Sequence, residues 1–185
     1  MNVTQELMRE HQMILQINDQ MRTLANPANT LKQEAFLAFV GRYVDFIERF
    51  VDDYHHTKEE EILFEALNIP DILQHCNPVS QMLLEHEQAR EALNLIKEGL
   101  SQRSASLAQH GIERYAKILE QHIFKEDNVL YPMAEKGFSD DLKSRINQYY
   151  SEVEGNKNKR QLWQECAKFC NDLQSLQSDV VLIKV

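Results

Sequence analysis

The stretch His55-His56-Thr57-Lys58-Glu59-Glu60-Glu61-Ile62-Leu63-Phe64 decides how this chain is read, because a second stretch repeats its pattern. The second is His122-Ile123-Phe124-Lys125-Glu126-Asp127-Asn128-Val129-Leu130-Tyr131. Aligned, both read H-x-x-K-E-(D/E)-x-(I/V)-L-(aromatic). On a helix, residues four apart share a face with roughly 5–6 Å between their Cβ atoms. His55 and Glu59, like His122 and Glu126, therefore set an imidazole beside a carboxylate. His56 and Glu60 have the same spacing, but the match to the second stretch favours His55 with Glu59. His56 then falls next to the site or outside it.

Working outward, each repeat sits in a long amphipathic helix. The first helix is expected from Thr4 to Ala25, with the seam Leu7, His11, Ile14, Asn18 and Met21, ending before Asn26-Pro27-Ala28-Asn29. The second starts near Thr30, at capping-box spacing from Gln33, and runs to Leu67, with Pro70 beyond it. The third opens on Asn77 and Pro78 and carries Met82, His86, Ala89, Leu93, Ile96 and Leu100 inward. The fourth follows Ser104 and ends at Gly137, with the seam Tyr115, Leu119, His122, Glu126, Leu130 and Met133. Four such helices with short turns make an all-α, up-down-up-down four-helix bundle over residues 1–137. Residues 138–185 read as a C-terminal helical extension: a helix from Ser139 to Val153, a polar linker Glu154–Arg160, and a last helix from Gln161 to Leu176. Its apolar seam (Leu162, Cys166, Phe169, Leu173, Leu176) is expected to pack on the bundle or at an oligomer interface, so a homodimer is one expectation.

Composition agrees. The 185 residues suit one ordinary domain, 43% are hydrophobic, and 5 Gly and 4 Pro favour helices over a sheet. A net charge of −9, with no basic block beyond Lys157–Arg160, argues against nucleic-acid or anionic-membrane partners. The opening MNVTQELMREHQ lacks an apolar signal region, and no run reaches the roughly 18 apolar residues of a membrane span. The 3 cysteines, Cys76, Cys166 and Cys170, form no CxxC, so a reduced, cytoplasmic protein is the default expectation.

The two remaining bundle helices each place one histidine in an apolar seam, His11 and His86. A single inward histidine is most often a hydrogen-bonded core residue, and a lone H-x-x-x-E pair is most often a surface ion pair. The coincidence of four histidines and two matched glutamates outweighs both readings. Buried polar groups left without partners cost roughly 1–3 kcal/mol each, and more if charged. A metal removes that difficulty: His11, His55, His86 and His122 as terminal ligands, Glu59 and Glu126 as carboxylates that can bridge two ions. His75, Cys76 and His110 read as loop or surface residues, Cys166 and Cys170 as small apolar side chains, and Tyr54 and Tyr131 as packing beside the ligands.

This pattern resembles the hemerythrin-like, or HHE cation-binding, domain over residues 4–136. Supporting fragments are Leu7-Met8-Arg9-Glu10-His11, Met82-Leu83-Leu84-Glu85-His86-Glu87, and Gln121 through Pro132. The resemblance implies two iron ions in an oxo- or hydroxo-bridged centre, with zinc or manganese as substitutes the same ligands accept. It also marks a departure. Oxygen-carrying hemerythrins place a second histidine on helix three, where this chain has Arg90. Two histidines per iron leave an open position on both metals, which shifts the expected role from oxygen carriage to binding, sensing or reacting with dioxygen, peroxide or nitric oxide. Weak peroxidase or catalase activity is one form of this. The alternative is an iron-binding or iron-donating protein in metal homeostasis or iron–sulfur cluster repair. Glu85, Glu87 and Asn18 are candidates to orient the ligands.

Overall fold

The structure is a computed structural model that describes residues 2–27, 31–73 and 77–182, with side chains as far as Leu176. The described residues form six helices and no strand: α1 (Gln5–Leu24), α2 (33–67), α3 (Val79–Ser101), α4 (105–137), α5 (Asp140–Asn156) and α6 (Lys159–Leu182). No described helix is long and apolar enough to cross a membrane. Helices α1 to α4 form the up-down-up-down bundle: α3 packs on both α2 and α4, and α1 closes the ring against α4 and α2. Part of the expected first loop (Ala28, Asn29), the Thr30 cap, His75 and Cys76 lie outside the described residues.

The helix ends follow local chemistry. Ser104 and Ser139 accept from the backbone N–H groups of Leu107 and Leu142, capping α4 and α5. The Asn77 side chain accepts from Val79 N at 3.0 Å at the start of α3. Glu135 on α4 accepts from Val3 N and Thr4 N at 2.6 and 3.0 Å, which ties the first turn of α1 to the fourth helix. Between α3 and α4 the backbones approach closely. A Cβ on Gly99 would stand 2.4 Å from the Ala108 nitrogen, and one on Gly111 would stand 2.8 Å from the Ile96 nitrogen.

Two expectations change. The polar stretch Glu154–Arg160 is mostly helical rather than a linker. Only Lys157 and Asn158 separate α5 from α6, and Asn158 takes a left-handed φ of 51°. Polarity does not unwind this stretch because Lys159 bridges Glu154 at 2.9 Å and Glu6 of α1 at 2.7 Å. Second, α2 and α4 are not purely α-helical. Wider π turns occupy Ile47–His56 and Glu59–Leu63 in α2 and Glu126–Leu130 in α4. Such turns bond i to i+5 and shift the inward face by a residue relative to α geometry.

The core is split. The larger apolar cluster includes Ile14, Met21, Tyr43, Phe50, Tyr54, Ala89, Ile96, Tyr115 and Ile123. The smaller includes Leu7, Leu63, Phe64, Met82, Leu130, Tyr131 and Ala134. In sequence, the break falls in each bundle helix at His11, His55–Glu59, His86 and His122–Glu126, so a polar layer lies between two apolar plugs.

The extension joins both plugs. Leu162, Cys166, Phe169, Cys170 and Leu173 of α6 belong to the larger cluster, and Ile146 and Tyr150 of α5 to the smaller. Each fully buried large apolar side chain contributes ~1.5–3 kcal/mol, so this stripe is enough to seat α6. Burial pushes the Cys166 thiol up to about 12. Cys166 should therefore resist iodoacetamide near pH 8 in the folded protein and react only after denaturation, as read by peptide mass mapping. Labelling of native Cys166 at the rate of a free thiol would contradict the observed seating of α6.

Candidate metal centre

All six expected site residues are brought together. His11, His55, Glu59, His86, His122 and Glu126 are at most 2% exposed. Their donor atoms fall into two groups, each within 4.8 Å: His11, His55, Glu59 and Glu126 on one side, and His56, Glu59, His86 and His122 on the other. Glu59 belongs to both. Its Oε1 lies 3.5 Å from His55 Nε2, and its Oε2 lies 3.5 Å from His86 Nε2. Glu126 Oε2 lies 3.3 Å from His11 Nε2 and 3.2 Å from His122 Nε2, so it too spans the two sides.

His56, expected next to the site or outside it, lies beside the six. It is 1% exposed and stacks on His86 at 3.8 Å between ring centroids. The π turns over Ile47–His56 place both adjacent histidines inside, where a strict α period leaves room for one. Two imidazoles stand in one group of donors and three in the other. Arg90 bonds Glu60 at 2.5 Å and lies 3.6 Å from Asp52. It braces two carboxylates of the surrounding shell.

That shell is complete for all five imidazoles. The Nδ1 atoms of His11, His55, His56, His86 and His122 meet Asp127, Glu10, Asp52, Glu60 and Glu85 at 2.8, 2.8, 2.9, 2.6 and 3.1 Å. A carboxylate on Nδ1 favours a proton there and turns Nε2 inward, where His86 Nε2 and His122 Nε2 meet each other at 2.8 Å with one proton between them. Of the expected orienting residues only Glu85 does this. Glu87 is largely exposed, and Asn18 instead accepts from Tyr43 and donates to Ala116 O at 3.4 Å.

The sequence repeat extends through this shell. Lys58 bonds Glu10, the partner of His55, and Lys125 bonds Glu85, the partner of His122. Glu60 holds His86, and Asp127 holds His11. Every shared position of H-x-x-K-E-(D/E) thus has the same duty in both halves, giving an internal two-fold relation. Of the aligned pairs that differ, two bear on the histidines: His56 matches Ile123, and Phe64 matches Tyr131. The dipeptides Glu10-His11 and Glu85-His86 were the sequence signal for Glu10 and Glu85.

The buried donors shift one another's titration. Burial and then Glu126 push the Glu59 carboxyl well above the ordinary range. Burial opposes ionisation of Glu126 as well, yet His122 and His11 hold it well below that range. His122 rises to about 10 and His11 to about 9, their burial outweighed by Glu126 with Glu85 and with Asp127 respectively. His55 falls to about 4, as burial outweighs Glu10, and burial with neighbouring His86 drives His56 well down. Glu59 Oε2 and both Glu126 oxygens accept no well-directed hydrogen bond. Such orphaned buried oxygens carry a free-energy penalty unless a positive centre meets them.

Converging imidazole and carboxylate donors, each buried and oriented from behind, define a cation-binding helical bundle. The sequence matches the hemerythrin HHE cation binding domain over residues 2–134, and the chain belongs to that family. No curated protein and no solved structure matches it.

Proposed function

We propose that this chain is a non-haem di-iron protein that binds, senses or reacts with a small oxidant: dioxygen, peroxide or nitric oxide. One ion would be held by His11 and His55, the other by His56, His86 and His122, with Glu59 and Glu126 shared between them. The observation that carries the reading is the set of five Nδ1–carboxylate contacts, which leave five Nε2 atoms turned inward. Imidazole and carboxylate donors suit iron, and also manganese or zinc. Bound iron supplies electrons and an exchangeable coordination position. The protein supplies the rest: the carboxylate shell fixes ring orientation, and the two apolar plugs exclude bulk water. Each side gathers four donor residues, two histidines with two glutamates against three histidines with Glu59, which leaves room for an exchangeable position. Complete burial of the donors supports retention of the metal over donation to an acceptor.

Anaerobic iron titration of the full chain, followed by optical spectra under oxygen, peroxide and nitric oxide, tests this. Uptake of two ions and a visible band that responds to one of these ligands is expected. No bound metal after purification without chelator, and no uptake on titration, would sink it; rapid loss to a mild chelator would favour the donor role. His56→Ala should lower metal affinity about 10–100-fold or more, the scale of lost ligands or their supports. His110→Ala, at an exposed position on α4, should leave it unchanged. If both variants bind metal like the wild type, His56 is not a ligand.

A further inference from the structure

We infer that the Tyr131 hydroxyl is the hydrogen-bond donor to the exchangeable ligand, and that this ligand is a small anion or a diatomic that gains negative charge on binding. The inference rests on the di-iron reading and assigns a side and a polarity to its open position.

The internal two-fold relation makes the argument. Tyr131 and Phe64 occupy matched positions, and each ring lies on a histidine. Tyr131 stacks on His11 at 5.4 Å and 7°, Phe64 on His86 at 5.8 Å and 26°. Packing over the imidazole therefore needs only the ring, and the hydroxyl is an addition on one side. That side is the one with two histidines; the plain phenyl ring lies on the side with three. The two sides offer four donor residues each, so the hydroxyl, and not the number of donors, sets the side of His11 and His55 apart.

Its position is internal. Tyr131 is 1% exposed, its hydroxyl donates to Glu59 Oε1, and it stands 3.3 Å from His11 Nε2. It therefore lies at the edge of the space that His11, His55 and Glu59 enclose. Once Glu59 is shared between two cations, its oxygens become poorer acceptors, and the buried hydroxyl gains by donating to a more basic neighbour. A donor aimed at this position favours ligands that carry or acquire negative charge over neutral ones that do not.

Azide titration of the iron-loaded full chain, wild type against Tyr131→Phe, provides the test. Phenylalanine already fills the matched position, so the variant should fold, with its apo melting midpoint lowered only by the loss of one buried hydrogen bond and with iron still taken up. Its azide dissociation constant should rise about tenfold, the loss expected for one hydrogen bond to an anion. Unchanged azide affinity with full iron content would overturn the inference. So would loss of iron in the variant, which would make the phenol a holder of the metal instead of a donor to its ligand. A wild-type chain that takes up no iron would sink the di-iron reading itself, which separates the two failures.

Discussion

Glu59→Gln should abolish the stabilisation that metal gives this protein while leaving the apo protein almost as stable as before. Glu59 contributes an oxygen to both donor groups. In the apo protein, burial and Glu126 hold its pKa well above the ordinary range, which favours the protonated, uncharged side chain. Glutamine has the same size and the same neutral charge, and its carbonyl can still accept from Tyr131. The apo cost should therefore stay below about 1 kcal/mol, the scale of one retuned hydrogen bond. Metal is different, because it needs the carboxylate. A ligand at about a hundred times its dissociation constant stabilises the fold by ~2.7 kcal/mol, and two ions acting together by more. Urea unfolding with added iron or with chelator would show a large gap for the wild type and little or none for the variant. The pH dependence has a definite sign. A carboxyl whose folded pKa is raised favours the fold below its unfolded pKa, and that contribution is lost as pH rises through the folded value. The apo wild type should lose this portion of its stability with rising pH, and the variant should lack it. A variant with the full metal-dependent gap would remove Glu59 from the centre.

Lys58→Met should destabilise the protein by ~3–5 kcal/mol, whereas Lys125→Met, at the matched position, should cost about 0–1 kcal/mol. Both lysines bond a carboxylate that orients a histidine. Their surroundings differ. The Lys58 side chain is 1% exposed, Glu10 is fully buried, and α5 covers the pair with Tyr150 and Glu154. The Lys125 side chain is 40% exposed. Burial opposes ionisation of Glu10, but His55 and Lys58 keep its pKa below the ordinary value. Without Lys58 that charge is stranded in the core. Near Lys125, water screens the ammonium, and Glu85 keeps Gln81 and His122 as partners at 2.7 and 3.1 Å. Equal losses in urea unfolding with chelator present would mean that the C-terminal helices do not seal the Lys58 side.

The bundle was legible because helical periodicity is a local property. The seams of α1 to α4 and of α6 are read at three- and four-residue steps, and those side chains are the ones the fold buries or half-buries. The serine caps were legible for the same reason. The break between α5 and α6 was not, since the helicity of residues 154–156 depends on Lys159 reaching both Glu154 and Glu6, a contact across helices.

The centre divides along the same line. Two H-x-x-x-E pairs and two seam histidines were enough to name six inward residues, because a matched repeat constrains register on both strands of the comparison. His56 escaped because its orientation depends on the π turns over Ile47–His56, and no residue-by-residue propensity announces i to i+5 bonding. Asp127, Glu60 and Asp52 escaped because a carboxylate one step off the seam looks solvated until another helix brings an imidazole to it. His11 and Asp127 are 116 residues apart in sequence, and 2.8 Å apart in the fold. By itself, then, the sequence determined the helices, the repeat and the six residues that converge. Only the tertiary structure decided the unequal sharing of histidines and the carboxylate behind each ring, since both depend on which helix faces which across the core.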